Sequence, residues 1–193
     1  MKTPILVMAA GASRRLGQPK QLLPFRGTVL VNYVVQQALA SKVGPVFVVL
    51  GAQQAQIRPR IDLPDEQLLY CENWAEGMGT TIAYGVHQLL AQSNNGLLIS
   101  VADQPFLTAD ILQQLVQQRT ATGASVVCSK YAEGQGPPTF FSALVVPELL
   151  HLRGDDGAKQ VVKRYRKQLA TINFPSGCYD VDTEADLIHL ISD

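Results

Sequence analysis

Ile5-Leu6-Val7-Met8-Ala9-Ala10-Gly11-Ala12-Ser13-Arg14-Arg15-Leu16-Gly17-Gln18-Pro19-Lys20 is the stretch on which the reading of this chain turns. A short apolar run that ends in small residues and a glycine predicts a buried β-strand opening directly into a loop. Beside the Gly-Ala-Ser turn, three cations fall within the seven residues from Arg14 to Lys20. Backbone N–H groups at a strand end, joined by fixed cations, make a cradle for a polyphosphate. A sharp turn with solvated cations explains the glycines but not the clustering of charge. Two common phosphate loops are argued against. Lys20 follows Gln18-Pro19 rather than a glycine, and Gly11 and Gly17 stand too far apart for the dinucleotide fingerprint.

Working outward, 193 residues suffice for one domain, expected over positions 1–193, with a core that needs no disulfide or metal staple. Sixteen Lys and Arg balance sixteen Asp and Glu, so no global field favours nucleic acid or an anionic membrane. Any anion site must be local. Cys71, Cys128 and Cys178 are widely spaced and lack a metal-binding pattern, which suits reduced thiols of a cytoplasmic protein, each read as a small buried hydrophobe. The first residues lack the pattern of a signal peptide, and no apolar run approaches a membrane span.

Apolar runs alternate with segments of helical period, which predicts an α/β fold with a mostly parallel central sheet and flanking helices. Strands are expected at Pro4 to Ala9, Pro45 to Leu50, Gln67 to Cys71, Gly96 to Val101, Ser125 to Ser129, Pro138 to Phe141 and Gln168 to Asn173. Helices are expected at Val29 to Ala40, Thr80 to Ala91, Thr108 to Thr120, Ser142 to Leu150, Ala158 to Arg166 and Thr183 to Ile191. Thr108 and Thr183 read as N-caps with acids following in the first turn.

Ligands of open α/β sheets bind beyond the carboxyl ends of the strands, so the loops there carry the chemistry. Asp103, in Val101-Ala102-Asp103-Gln104-Pro105, stands just past a buried strand. A carboxylate there needs a cation or a donor, and magnesium is the preferred partner over a structural hydrogen bond. Asp180 and Asp182 flank Val181 before the last predicted helix and supply a second pair of acids, with capping as the plainer role for Asp182. Gly77-Met78-Gly79-Thr80-Thr81 offers amide and hydroxyl donors at a helix start. Gly154-Asp155-Asp156-Gly157-Ala158-Lys159 is a second loop-to-helix entry, readable as an acceptor or metal site or as a solvated turn. The stretch from Ala132 to Pro138 reads as a functional loop, and Lys163-Arg164-Tyr165-Arg166-Lys167 as a solvated helix face. His87, His151 and His189 fall on separate segments, which gives no support to a histidine metal site or a catalytic triad.

Together these motifs resemble the MobA-like nucleotidyltransferase family, and most of all its molybdenum cofactor cytidylyltransferase (MocA-type) branch. The family opening L-A-A-G-x-S-x-R-M-G-x-P-K is similar to Met8 through Lys20, with Met for Leu and Leu for Met as the departures. Gly77-Met78, Ala102-Asp103-Gln104-Pro105, Gly154 to Lys159 and Asp180 to Thr183 follow in the family's order over nearly the whole chain. The resemblance implies a Rossmann-like nucleotidyltransferase domain in which Ala9, Ala10, Gly11, Ala12, Ser13, Arg15 and Lys20 bind the phosphates of CTP. Gly77, Met78, Thr80 and Thr81 complete the nucleotide site, and Asp103 with Asp182 holds Mg²⁺. Arg15, Lys20, Asp103 and Asp182 are then the catalytic set. Ala10, where guanylyl-transferring relatives tend to have a second glycine, leans toward CTP. The implied acceptor is a molybdopterin-type phosphate, with a recipient molybdoenzyme as a further partner. The family's G-H-P is replaced by Gly136-Pro137-Pro138, on the loop expected to face that acceptor. The alternatives are a transferase that uses GTP or acts on another phosphorylated metabolite, a glycosyltransferase, and a non-catalytic nucleotide-binding maturation partner.

Overall fold

Strands buried on both faces read as continuous apolar runs, and those runs form the centre of this molecule. A computed structural model describes residues 2–14, 16–179 and 186. In chain order the elements are β1 (Ile5–Ala9), β2 (Pro24–Phe25), β3 (Thr28–Val29), α1 (Leu30–Ala40), β4 (Val46–Leu50), α2 (Gln54–Ile57), β5 (Leu68–Tyr70) and α3 (Met78–Leu89). There follow β6 (Leu97–Val101), α4 (Ala109–Thr122), β7 (Val126–Lys130), β8 (Gln135–Phe141), α5 (Val146–Leu149), α6 (Lys159–Arg164) and β9 (Leu169–Asn173).

Seven strands make one sheet in the order β5-β4-β1-β6-β8-β7-β9, and β2 with β3 forms a small separate hairpin. Every neighbouring pair in the large sheet is parallel except those made by β8, which runs antiparallel to both β6 and β7. The expected α/β architecture with a mostly parallel sheet is therefore the observed one. Alternation along β1 divides the core: Ile5, Val7 and Ala9 join α1 and α4 on one face, while Leu6, Met8 and Ala10 join α3, α5 and α6 on the other.

The expected strands are all present, but two expected helices are shorter. Ser142 to Leu150 condenses to Val146–Leu149, and Ala158 to Arg166 to Lys159–Arg164. Thr108 stands at the N-cap of α4 without a side-chain capping bond. Its place is taken by Gln37 of α1, whose Oε1 accepts the Ala109 N–H at 3.1 Å, so a tertiary contact replaces the local cap. The stretch from Ala132 to Pro138, read as a loop, supplies the start of β8. The helix expected from Thr183 to Ile191 lies outside the described residues, apart from Asp186. No described helix is long and apolar enough to cross a membrane.

The cysteines also depart from expectation. Cys71 and Cys128 are buried, but Cys178 is exposed. Burial pushes the Cys128 thiol up to about 11, and thiol reagents attack the thiolate. Titration with a thiol-reactive chromophore at pH 8 is expected to find one fast thiol, lost in Cys178→Ser, with Cys71 and Cys128 reacting after unfolding. Gly96 tests the sheet. It has φ +102°, and an added Cβ would lie 2.5 Å from the Phe141 carbonyl oxygen. Gly96→Ala is expected to cost about 2 kcal/mol of stability in urea titration, from backbone strain together with overpacking.

Candidate active site

Strand register brings the site together. Met8 of β1 pairs with Val101 of β6 in a parallel ladder, so the chain leaves both strands at the same edge and side by side. Ala10 and Asp103, each two residues further on, stand at the mouths of two adjacent loops. This is where open parallel sheets place their ligands.

The first loop is shaped by a residue that the motif reading passed over. Gln21 is buried at 2% exposure, and its Nε2 donates to the carbonyls of Ala9 at 3.0 Å and Gly11 at 2.8 Å. Ser13 Oγ donates to Gln21 Oε1 at 3.3 Å and accepts the Lys20 N–H at 3.0 Å. Across a trans peptide the carbonyl and the following N–H point in opposite directions. The N–H groups of Ala10 and Ala12 are therefore turned away from Gln21. Nothing lies within 4 Å of where a Cβ on Gly11 would be, so bare backbone faces open space there.

That space is a cavity of about 400 Å³. Of the residues expected to bind nucleotide, Ala9, Ala10, Gly11, Ala12, Lys20, Gly77, Met78, Thr81 and Asp103 line it. Two do not. Ser13 works within the loop, bonded to Gln21 and Lys20, at φ +51°. Thr80 opens instead onto a separate groove with Glu72, Glu76 and Arg153, where it donates to Glu76 Oε2 at 3.4 Å. The reason is helical: Thr80 and Thr81 fall in the first turn of α3, and neighbours in a helix point about 100° apart. Thr81 Oγ1 is itself committed to the Met78 carbonyl at 2.8 Å. Arg14, one of the three clustered cations, and Asp155 of the second loop-to-helix entry line the cavity as well, and Trp74 does so without having been anticipated. Arg15, Asp180 and Asp182 lie outside the described residues.

The electrostatic centre of the cavity is an ion pair. Lys20 Nζ donates to Asp103 Oδ2 at 2.5 Å, with the side chains 18% and 19% exposed. Asp103 Oδ1 is buried and has no hydrogen-bond partner among the described residues. The carboxylate for which the sequence suggested magnesium is thus met on one oxygen by an ammonium. No group of three or more potential metal-ligating His, Cys, Asp or Glu residues occurs among the described residues.

Two further motifs converge on the opposite wall. Gly79 N–H donates to the Gly154 carbonyl at 2.7 Å, and Gly154 N–H to Thr80 Oγ1 at 3.3 Å. A Cβ on Gly77 would stand 2.4 Å from Gly154 backbone, so this approach needs glycine. The two loop-to-helix entries are halves of one wall.

A second cavity of about 330 Å³ shares Met8, Met78 and Val101 with the first. Ile82, Ile99, Phe141 and Val162 give it an apolar interior, Gly136 and Pro137 form part of its rim, and Lys159 and Lys163 are its cations. Lys163, read as part of a solvated face, therefore borders a cavity. Gln104, 1% exposed, anchors this region: its Nε2 reaches Tyr131 Oη at 3.0 Å and the carbonyls of Pro137 at 3.1 Å and Gly177 at 2.8 Å. Tyr131 also donates to the Pro137 carbonyl. Gln21 carries no signal in the sequence beyond a long polar side chain beside a strand-end motif, and Gln104 stands within the Ala102-Asp103-Gln104-Pro105 motif without a role read for it there.

Gln21→Ala leaves two inward carbonyls without their donor. It is expected to cost about 2 kcal/mol in urea titration and to raise amide hydrogen exchange over residues 10–20. Unchanged exchange there would contradict the clamp.

Comparison with known proteins bears on the family and the fold. The family model for the MobA-like NTP transferase domain matches residues 5–169. Purine catabolism protein PucB of Bacillus subtilis is 31% identical over 173 residues, covering 84% of this chain and 83% of its own. A probable molybdenum cofactor guanylyltransferase of Mycobacterium tuberculosis H37Ra is 32% identical over 127 residues, 63% of this chain and 59% of its own. Rv0371c from Mycobacterium tuberculosis H37Rv has the same fold, with TM-score 0.86, 27% identity and full coverage of both chains. A structure of Rv0371c in complex with manganese gives TM-score 0.79 at 26% identity, again over all of both chains. The chain belongs to the MobA-like NTP transferase domain family and is a nucleotidyltransferase.

Proposed function

We propose that this enzyme transfers a cytidylyl group from CTP to the phosphate of a molybdopterin-type acceptor and releases pyrophosphate. The observation that carries this reading is the pair of adjoining cavities. One is the more polar, with the open Gly11 loop, Lys20 and Asp103, and the other is the more apolar, with lysines at its border. A reaction that joins two substrates needs two compartments meeting at the reacting atoms. Met8, Met78 and Val101 form the shared wall.

In this reading an oxygen of the acceptor phosphate forms a bond to the α-phosphorus of CTP. The bond from that phosphorus to the bridging oxygen breaks, and the electron pair leaves with pyrophosphate. Positioning and charge do the work, and no protein nucleophile is needed. Amide groups of the Ala10–Ala12 turn and the cations Lys20 and Arg15 would stabilise the triphosphate and the charge that grows on the leaving group. Asp103 fits a hard divalent cation, because its buried Oδ1 is without a hydrogen-bond partner among the described residues. Asp182 is proposed as the second carboxylate, with Mg²⁺ as the ion. The manganese complex of Rv0371c supports a divalent site in this fold. When bound, such an ion neutralises charge on the phosphoryl oxygens. Ala10 supports CTP over GTP. It lines the first cavity at the position where the resemblance puts a second glycine in guanylyl-transferring relatives, and its methyl group takes space that a glycine would leave.

Pyrophosphate release with molybdenum-loaded molybdopterin and each nucleotide triphosphate tests the proposal. CTP is expected to exceed GTP by about tenfold or more in kcat/KM, consistent with one altered pocket contact. Equal use of both, or release with neither, overturns it. Asp103→Asn is expected to lower kcat by about a hundredfold or more while the protein melts near the wild-type temperature.

A further inference from the structure

Resting on the nucleotide reading of the first cavity, we propose that Lys20 is a stand-in cation on Asp103, so that nucleotide and divalent ion each release the residue the other needs. Three observations lead there. Lys20 Nζ occupies Asp103 Oδ2 at 2.5 Å, closing one face of the carboxylate. The other oxygen, Oδ1, is buried with no hydrogen-bond partner among the described residues, so the pair leaves half of the carboxylate unsatisfied. Both residues line the cavity beside the bare Gly11 backbone, within reach of a polyphosphate.

Competition arises from charge. A divalent ion that arrives alone meets an ammonium on the same carboxylate and is repelled by it. A triphosphate that arrives alone must draw Lys20 from a carboxylate that repels the phosphates. Once phosphate oxygens hold the ammonium, the flexible four-carbon stem lets Lys20 turn away and Asp103 is freed for metal. Each ligand removes the obstacle to the other, and the coupling is reciprocal. The empty site is thereby kept electrically paired, and neither ligand alone is held firmly.

The test reads binding rather than turnover, and its signs are unusual for site residues. In nucleotide-free protein titrated calorimetrically with MnCl₂, Lys20→Met is expected to bind Mn²⁺ about tenfold more tightly than wild type, and Lys20→Arg to match wild type within about threefold. In EDTA, Asp103→Asn is expected to bind CTP about tenfold more tightly than wild type. Arg14→Met in the Mn²⁺ titration and Asp155→Asn in the CTP titration each remove one charge from the same cavity wall and control for general electrostatics, with expected changes within about threefold. The proposal is overturned if Lys20→Met binds Mn²⁺ no more tightly than wild type, or if Arg14→Met produces the same gain. Wild type that fails to bind CTP even with Mn²⁺ present removes the cytidylyl reading, and the Mn²⁺ comparison then decides the ion-pair proposal alone.

Discussion

The parallel ladder between β1 and β6 is the constraint on which the rest of this molecule depends. Because Met8 and Val101 are register partners, two chain segments more than ninety residues apart leave the sheet at one edge. Lys20 and Asp103 meet as a consequence of that edge. Slipping the pairing by one residue would turn Leu6 and Met8 toward the face that holds Ile5 and Val7, so the divided core fixes the register and the register fixes the site.

Around that edge, polar side chains do what backbone ladders cannot. Gln21 holds the first loop by its carbonyls and leaves the following amides turned the other way. Gln104 ties the second loop to Tyr131, Pro137 and Gly177. Buried polar groups of this kind are costly unless bonded, so their networks fix conformation more sharply than apolar packing does. Both loops are therefore held in shape before any ligand arrives, which limits the ordering cost of binding.

Legibility differed by element for physical reasons. Val46–Leu50 and Leu97–Val101 were readable because a strand buried on both faces must be apolar throughout. The opening loop was readable as a loop because small residues and glycines end the apolar run of β1. The antiparallel course of β8 was not, since Gly136-Pro137-Pro138 carries turn chemistry and its pairing is set by β6 and β7. The N-terminus of α4 was placed correctly at Thr108, but its capping oxygen comes from Gln37, seventy-two residues earlier.

By itself the sequence determined the seven strands of the large sheet, the three longer helices, and the places of the Gly11 loop and Asp103 just past buried strands, because these rest on local period, composition and spacing. Tertiary structure alone decided that Lys20 sits on Asp103, that Thr80 turns to another groove while Thr81 does not, and that the Gly77 and Gly154 turns form one wall. Those are distances between residues remote in the chain, and only the closing of the sheet and its covering helices sets them.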